Sequence, residues 1–277
     1  KINTNQELIK QFDRETSVNF KIVSPSFDIQ YNLKDNEIKK QINDLIRYSN
    51  PDKSKNTIFV WPEGVFSGYS FFELKKFKNL WFENFSKKHI IIFGANTFNK
   101  ETGKFYNSLI AVNNKFEILY KYNKKKLVPF GEFIPFENKM SLFGLKKITE
   151  GFESFSKGEF QDNFIFENLN ILPLICYEII FTEFIQKSVN KTNLIINISE
   201  DGWFGNSIGP NQHFAKTKFR AIENNTFVIR AANKGFSGFV NNNGKILKLL
   251  KPSESGNIEM KIPVLKNSNK NKNDLIF

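Results

Sequence analysis

Apolar and polar positions along the chain fall into short stretches rich in Ile, Val and Phe, separated by segments with helical spacing or turn residues. Stretches of this length, bounded by turn signals, read as buried strands. They predict strands over 18–24, 57–61, 90–96, 108–112, 117–122, 171–176, 193–199, 227–231, 236–240 and 245–249. Between them, residues 35–48 carry Ile38, Ile42, Leu45 and Ile46 on one helical face, with Asp35 placed to cap and Glu37 in the first turn. Helices are expected over 70–87, 179–189 and 213–224 on similar grounds. Strands alternating with helices argue for an α/β layered architecture, and the turn cues at Asn113-Asn114 and 241–244 add antiparallel hairpins to it.

No repeat or low-complexity linker divides this pattern, so 1–277 is expected to be one domain, with a mobile, solvated tail over 266–277. A chain of 277 residues can bury a sizeable core. The longest apolar runs, such as 171–176 interrupted by Pro173, fall far short of the ~20 residues a membrane helix needs. The first residue is Lys1 and nothing after it resembles a signal peptide, which suggests a cut from a longer chain.

Composition changes the picture in two places. The formal net charge is +12, yet Lys and Asn occur 36 times each, Phe 32 times and Ile 31 times, against four Arg. The charge therefore follows a compositional bias, and the scattered lysines argue against a nucleic-acid surface. A single cysteine, Cys176, excludes an internal disulfide, and two distant histidines, His89 and His213, form no metal-ligand cluster. No metal or organic cofactor is expected.

Candidate chemistry collects in three segments. Trp61-Pro62-Glu63-Gly64 puts a carboxylate just past an apolar strand on a forced turn, where open α/β sheets commonly form a ligand crevice. Cys176 ends a buried strand, where the amides of a following helix would lower its pKa and receive an oxyanion. Lys124-Lys125-Lys126 precedes the tight apolar turn Leu127-Val128-Pro129-Phe130-Gly131, so one lysine is expected to be held inward, where pairing with carboxylates keeps it charged. Taken singly, these residues read equally as a surface glutamate, an inert buried thiol and a solvated basic turn.

Glu, Lys and Cys with no catalytic His resembles the nitrilase superfamily. The segments WPEG at 61–64, KKKLVPFGEFIP at 124–135, ICYE at 175–178, DGWFGNSIGPNQH at 201–213, RAIE at 220–223 and RAANKGFSG at 230–238 are similar to the nitrilase, or carbon-nitrogen hydrolase, domain of bacterial apolipoprotein N-acyltransferases. In order and spacing they cover most of the chain. The resemblance implies a four-layer α-β-β-α sandwich. It implies Glu63 as general base, Lys124 as the oxyanion-stabilising lysine, eight positions before Glu132, and Cys176 as nucleophile. Glu132, Tyr177 and Glu178 match supporting positions. Trp203, Phe204 and Phe130 are read either as core aromatics or as the lining of an acyl-chain tunnel, and His213 as structural. Glu200 departs from the family pattern and adds a negative charge near the site.

The activity implied is transfer of a phospholipid acyl chain, through a Cys thioester, to the amine of a diacylglyceryl-cysteine apolipoprotein. The implied setting is the periplasmic face of a bacterial inner membrane. A phospholipid donor, an apolipoprotein acceptor and the membrane surface are then the partners, with the aromatic loops at 66–72 and 140–145 read either as facing the lipid or as packing into the core. The alternatives are a soluble carbon-nitrogen hydrolase acting on a small amide, and an idle interaction domain that keeps the fold. The complete set of three residue types argues against the last.

Overall fold

Side chains alternate along each strand, so a strand with two apolar faces must be covered on both sides. The computed structural model describes residues 17–30, 33–133, 154–159, 163–165, 169–183, 192–252 and 254–263. One sheet has the order β12-β1-β2-β3-β4-β5, from β1 (Ser17–Ser24), β2 (Thr57–Val60), β3 (His89–Asn99), β4 (Lys104–Val112), β5 (Ile118–Asn123) and β12 (Gly256–Pro263). The other has the order β11-β10-β9-β8-β7-β6. Its strands are β6 (Phe164–Ile165), β7 (Asn170–Ile175), β8 (Leu194–Glu200), β9 (Phe227–Asn233), β10 (Ser237–Val240) and β11 (Ile246–Leu250). Strands β1, β2 and β3 run parallel, as do β7, β8 and β9, and antiparallel strands flank each set.

Alternation sorts the apolar residues into three layers of core. Phe20, Ile58, Val60, Ile90 and Ile92 meet Ile171, Ile175, Ile196 and Ile198 between the two sheets. The opposite faces of β2 and β3, with Phe59, Trp61, Ile91 and Phe93, pack on α1 (Asp35–Ser49), α2 (Phe71–Leu74) and α3 (Lys78–Asn84). On the far side, Leu172, Leu174, Ile195 and Val228 pack beneath Phe214 and Ala221 of α4 (Gly209–Glu223). The result is a four-layer α-β-β-α sandwich, as the sequence implied.

Departures from the predicted elements have local causes. Asp35 is not the cap of α1: the Lys34 amide donates to Glu37 Oε2 at 2.7 Å, and Asp35 instead takes the Tyr69 hydroxyl and Lys76. The helix expected over 70–87 is broken by a 3-10 turn at Lys75–Phe77 and ends at Asn84. At 100° per residue Trp81 would lie about 80° off the face of Phe71, and three residues at 120° return it to within about 20°. The break thus lets Phe71, Leu74 and Trp81 share one core. Helix α4 starts at Gly209, helped by Pro210 in its first turn, so His213 lies inside it. The strands not foreseen are β6, two residues long, and β12, an edge strand with Ile262 as its buried residue.

Of the loop 66–72, Phe66, Tyr69 and Phe71 are buried in the helix-facing core, which decides for the core reading over the lipid-facing one; Phe72 is exposed. The loop 140–145, the tail 266–277 and the second half of the helix expected over 179–189 lie outside the described residues.

Candidate active site

Glu63, Lys124 and Cys176 each follow the C-terminal end of a strand, β2, β5 and β7 respectively. Trp61 fixes the approach to Glu63. Its indole packs among Phe66, Trp81, Phe85 and Phe93, and its Nε1 donates to Ser49 Oγ at 2.9 Å. β3 passes behind Glu63 at Gly94, where a Cβ would lie 2.8 Å from the Glu63 Cα, and Gly64 turns the chain at a φ of +77°.

The Lys124 ammonium is almost fully buried between two carboxylates, 3.4 Å from Glu63 Oε1 and 3.0 Å from Glu132. Burial alone would lower its pKa, but Glu132 and Glu63 more than offset this, so it stays protonated. Lys125 and Lys126 are only partly buried, over the rings of Tyr122 and Phe181. Sequence reasoning missed Asn107, on β4, whose Nδ2 donates to Glu63 Oε1 at 2.6 Å and Glu132 Oε1 at 2.7 Å. A polar residue inside an otherwise buried strand was its only signal. The Glu200 amide donates to Glu63 Oε2 at 3.0 Å, and the Val128 amide to Glu132 Oε2 at 2.8 Å. Both carboxylates are held in place before any ligand enters.

Cys176 sits at a φ of +49°, a left-handed conformation that costs a residue with a Cβ roughly 1–2 kcal/mol. The element after it is a five-residue 3-10 turn, Cys176–Ile180, rather than the start of a long helix. The expected lowering of the thiol pKa is therefore overturned. Burial, reinforced by Glu63, pushes it up to about 12 against the pull of Lys124 and a hydrogen bond from Ser199. At neutral pH the thiol keeps its proton, so a base must remove it during attack.

Glu178 organises the turn without touching the buried ammonium. It accepts from the Ile175 amide at 2.8 Å, the Lys125 amide at 2.7 Å and the Tyr122 hydroxyl at 3.0 Å, joining the Cys176 turn to the loop that starts at Lys124. Tyr177 packs edge-on against Phe181. Trp203, Phe204 and Phe130 are 49%, 39% and 40% exposed, so they are not core aromatics. The described residues contain no group of three or more His, Cys, Asp and Glu arranged to hold a metal.

His213, read from the sequence as structural, meets a carboxylate in space. Its Nδ1 lies 3.0 Å from Asp201 Oδ1, and Asp201 also receives Arg230 Nη2 at 2.8 and 2.9 Å and Ser199 Oγ at 2.7 Å. Burial pushes the Asp201 carboxyl up, but Arg230 and His213 together hold it well below the usual range.

Glu200 is buried as well, accepting from Asn233 Nδ2 and the Gly202 amide, each at 2.8 Å. Burial raises its pKa from 4.5 to about 8 despite those bonds. Between these values the unfolded chain has lost the proton and the folded chain keeps it, so stability falls as pH rises, by at most about 1.4 kcal/mol per pH unit. Glu200→Gln is expected to flatten the fall in melting temperature between about pH 5 and 8. An unchanged slope in a pH series of thermal melts would clear Glu200 of that role.

A model of the carbon-nitrogen hydrolase family matches residues 29–264. The apolipoprotein N-acyltransferase of Rickettsia prowazekii (strain Madrid E) is 38% identical over 182 residues, 64% of this chain and 36% of that protein. That of Vibrio vulnificus (strain CMCP6) is 34% identical over 202 residues, 69% of this chain and 39% of that protein. The chain thus spans little more than a third of the length of these relatives. Among solved structures, Saccharomyces cerevisiae Nit3, of the nitrilase superfamily, superposes with a TM-score of 0.65 at 17% identity, covering 90% of this chain and 91% of that one. An amidase from Nesterenkonia sp. superposes at 0.60 and 14%, covering 90% and 92%. At these identities the structures show a shared fold.

Proposed function

The chain belongs to the carbon-nitrogen hydrolase family, and on that premise we propose that it is the catalytic domain of an apolipoprotein N-acyltransferase, with Glu63, Lys124 and Cys176 as its triad. The observation that carries the chemistry is the buried Lys124 between Glu63 and Glu132, beside a protonated thiol held at a strained turn. The similarity to curated apolipoprotein N-acyltransferases supports the substrate class.

In the first half-reaction Glu63 takes the Cys176 proton as Sγ attacks the sn-1 ester carbonyl of a phospholipid. Lys124 and backbone amides balance the oxyanion. The tetrahedral intermediate collapses with cleavage of the C–O bond, and Glu63 returns its proton to the departing lysophospholipid oxygen. In the second half the amine of diacylglyceryl-cysteine attacks the thioester, Glu63 accepts the proton, the C–S bond breaks and the thiolate is reprotonated. Glu132 holds Lys124, and Glu178 fixes the two loops that carry the lysine and the thiol. Trp203, Phe204 and Phe130 offer the exposed apolar surface an acyl chain needs. Among the described residues no helix is long and apolar enough to cross a membrane. On this reading the domain belongs to a longer protein of the bacterial inner membrane and works at its periplasmic face, where both lipid substrates lie.

The reading is tested by supplying phosphatidylethanolamine labelled in its sn-1 chain together with a diacylglyceryl-cysteine peptide. Label in a triacylated peptide is expected. Ammonia release from small amides, with no labelled peptide, would replace this reading with that of a soluble amidase.

A further inference from the structure

The Cys176 backbone carbonyl is gripped from two sides by side chains that play no part in the steps above. His213 Nε2 lies 3.1 Å from it and Asn197 Nδ2 3.4 Å. A carbonyl only accepts, so Nε2 carries a hydrogen, while Nδ1 faces both Arg230 Nη2 and Asp201 Oδ1, each at 3.0 Å. The same guanidinium holds Asp201 and binds Asn197 Oδ1 through Nη1. One buried arginine from β9 thereby orients both donors, one on β8 and one on α4. Phe204 closes the other side of the imidazole, edge to face at 5.6 Å.

We infer that His213 is a positioning residue: its Nε2–H holds the Cys176 carbonyl so that the turn stays left-handed and the thiol stays aimed at Glu63 and Lys124. The conformation is unfavourable for a residue with a Cβ, so the surroundings must impose it. A buried carbonyl that loses its donor relaxes toward another partner, and it carries the adjoining side chain with it. Displacement of a reacting atom by about 1 Å can cost about 10²-fold in rate.

The inference rests on Cys176 being the nucleophile, but its test needs no lipid. Alkylation of Cys176 by iodoacetamide is followed by intact mass in the full chain, with thermal melts to verify folding. His213→Leu is expected to alkylate at least about tenfold more slowly than wild type. His213→Gln, whose amide nitrogen takes the place of Nε2, restores the rate to within about threefold, whereas His213→Asn, whose amide reaches only the place of Nδ1, does not. A folded His213→Leu alkylating at or above the wild-type rate overturns the inference. So do equal rates for the Gln and Asn variants, and this pair decides the matter if the Leu variant does not fold. Failure of the lipid-transfer assay with this pattern intact would count against the substrate class alone.

Discussion

Cys176→Ser is expected to abolish acyl-enzyme formation while leaving the fold intact. Sulfur and oxygen are close in size, and the side chain ends a strand whose apolar packing is carried by Ile171, Leu174 and Ile175. The chemistry is far less forgiving. Burial already holds the thiol proton up to about 12, so the proton must be handed to Glu63 as the bond forms. A serine hydroxyl is intrinsically much less acidic, and in the same pocket its alkoxide is out of reach of a carboxylate base. A loss of at least about 10⁴-fold is expected, the scale seen when a covalent nucleophile is removed. Wild-type turnover in the serine variant, with an unchanged circular dichroism spectrum, would remove Cys176 from the mechanism.

Lys124→Met should lower acyl-enzyme formation by roughly 10² to 10³, as loss of one oxyanion donor usually does. The substitution also leaves Glu63 and Glu132 facing each other around Asn107 without the cation between them. Lys125→Met and Lys126→Met change only partly buried side chains lying over aromatic rings and are expected to stay near wild type. Equal losses at all three positions, measured by single-turnover acylation, would show that the wrong lysine has been chosen.

The parts of this fold legible in the sequence were those governed by local periodicity. The alternation of Val18, Phe20 and Ile22 with polar residues declares one covered face, and the unbroken run Ile58, Phe59, Val60 and Trp61 declares two, before any partner is known. Glu63, Cys176 and one of the lysines at 124–126 were candidates because each follows a strand at a turn, and the resemblance to the nitrilase superfamily is what singled out Lys124 and joined the three. What the sequence withheld depends on long-range pairing. β12 turns Ile258, Met260 and Ile262 toward the core from alternate positions, but its place at the sheet edge is set by antiparallel pairing with β1 from Ser17 to Ser24. The break at Lys75–Phe77 follows from where Trp81 must point, and only the packed core decides between the lipid-facing and buried readings of Phe66, Tyr69 and Phe71. Asp201, His213 and Arg230 come from a turn, a helix and a strand, and no spacing rule joins them. The thiol pKa was misread because helix amides were expected after the strand, where a five-residue 3-10 turn stands and burial outweighs the pull of Lys124.

The central claim is that this domain carries an acyl chain on Cys176 between two lipids. The most direct measurement is the intact mass of the protein after incubation with phosphatidylethanolamine vesicles and no acceptor, followed by peptide mapping. The account predicts a gain of one fatty acyl group, located on the peptide containing Cys176 and released by neutral hydroxylamine as a thioester should be. An unchanged mass in a preparation that goes on to label an acceptor peptide once one is added, or an acyl group resting on a lysine, would contradict it.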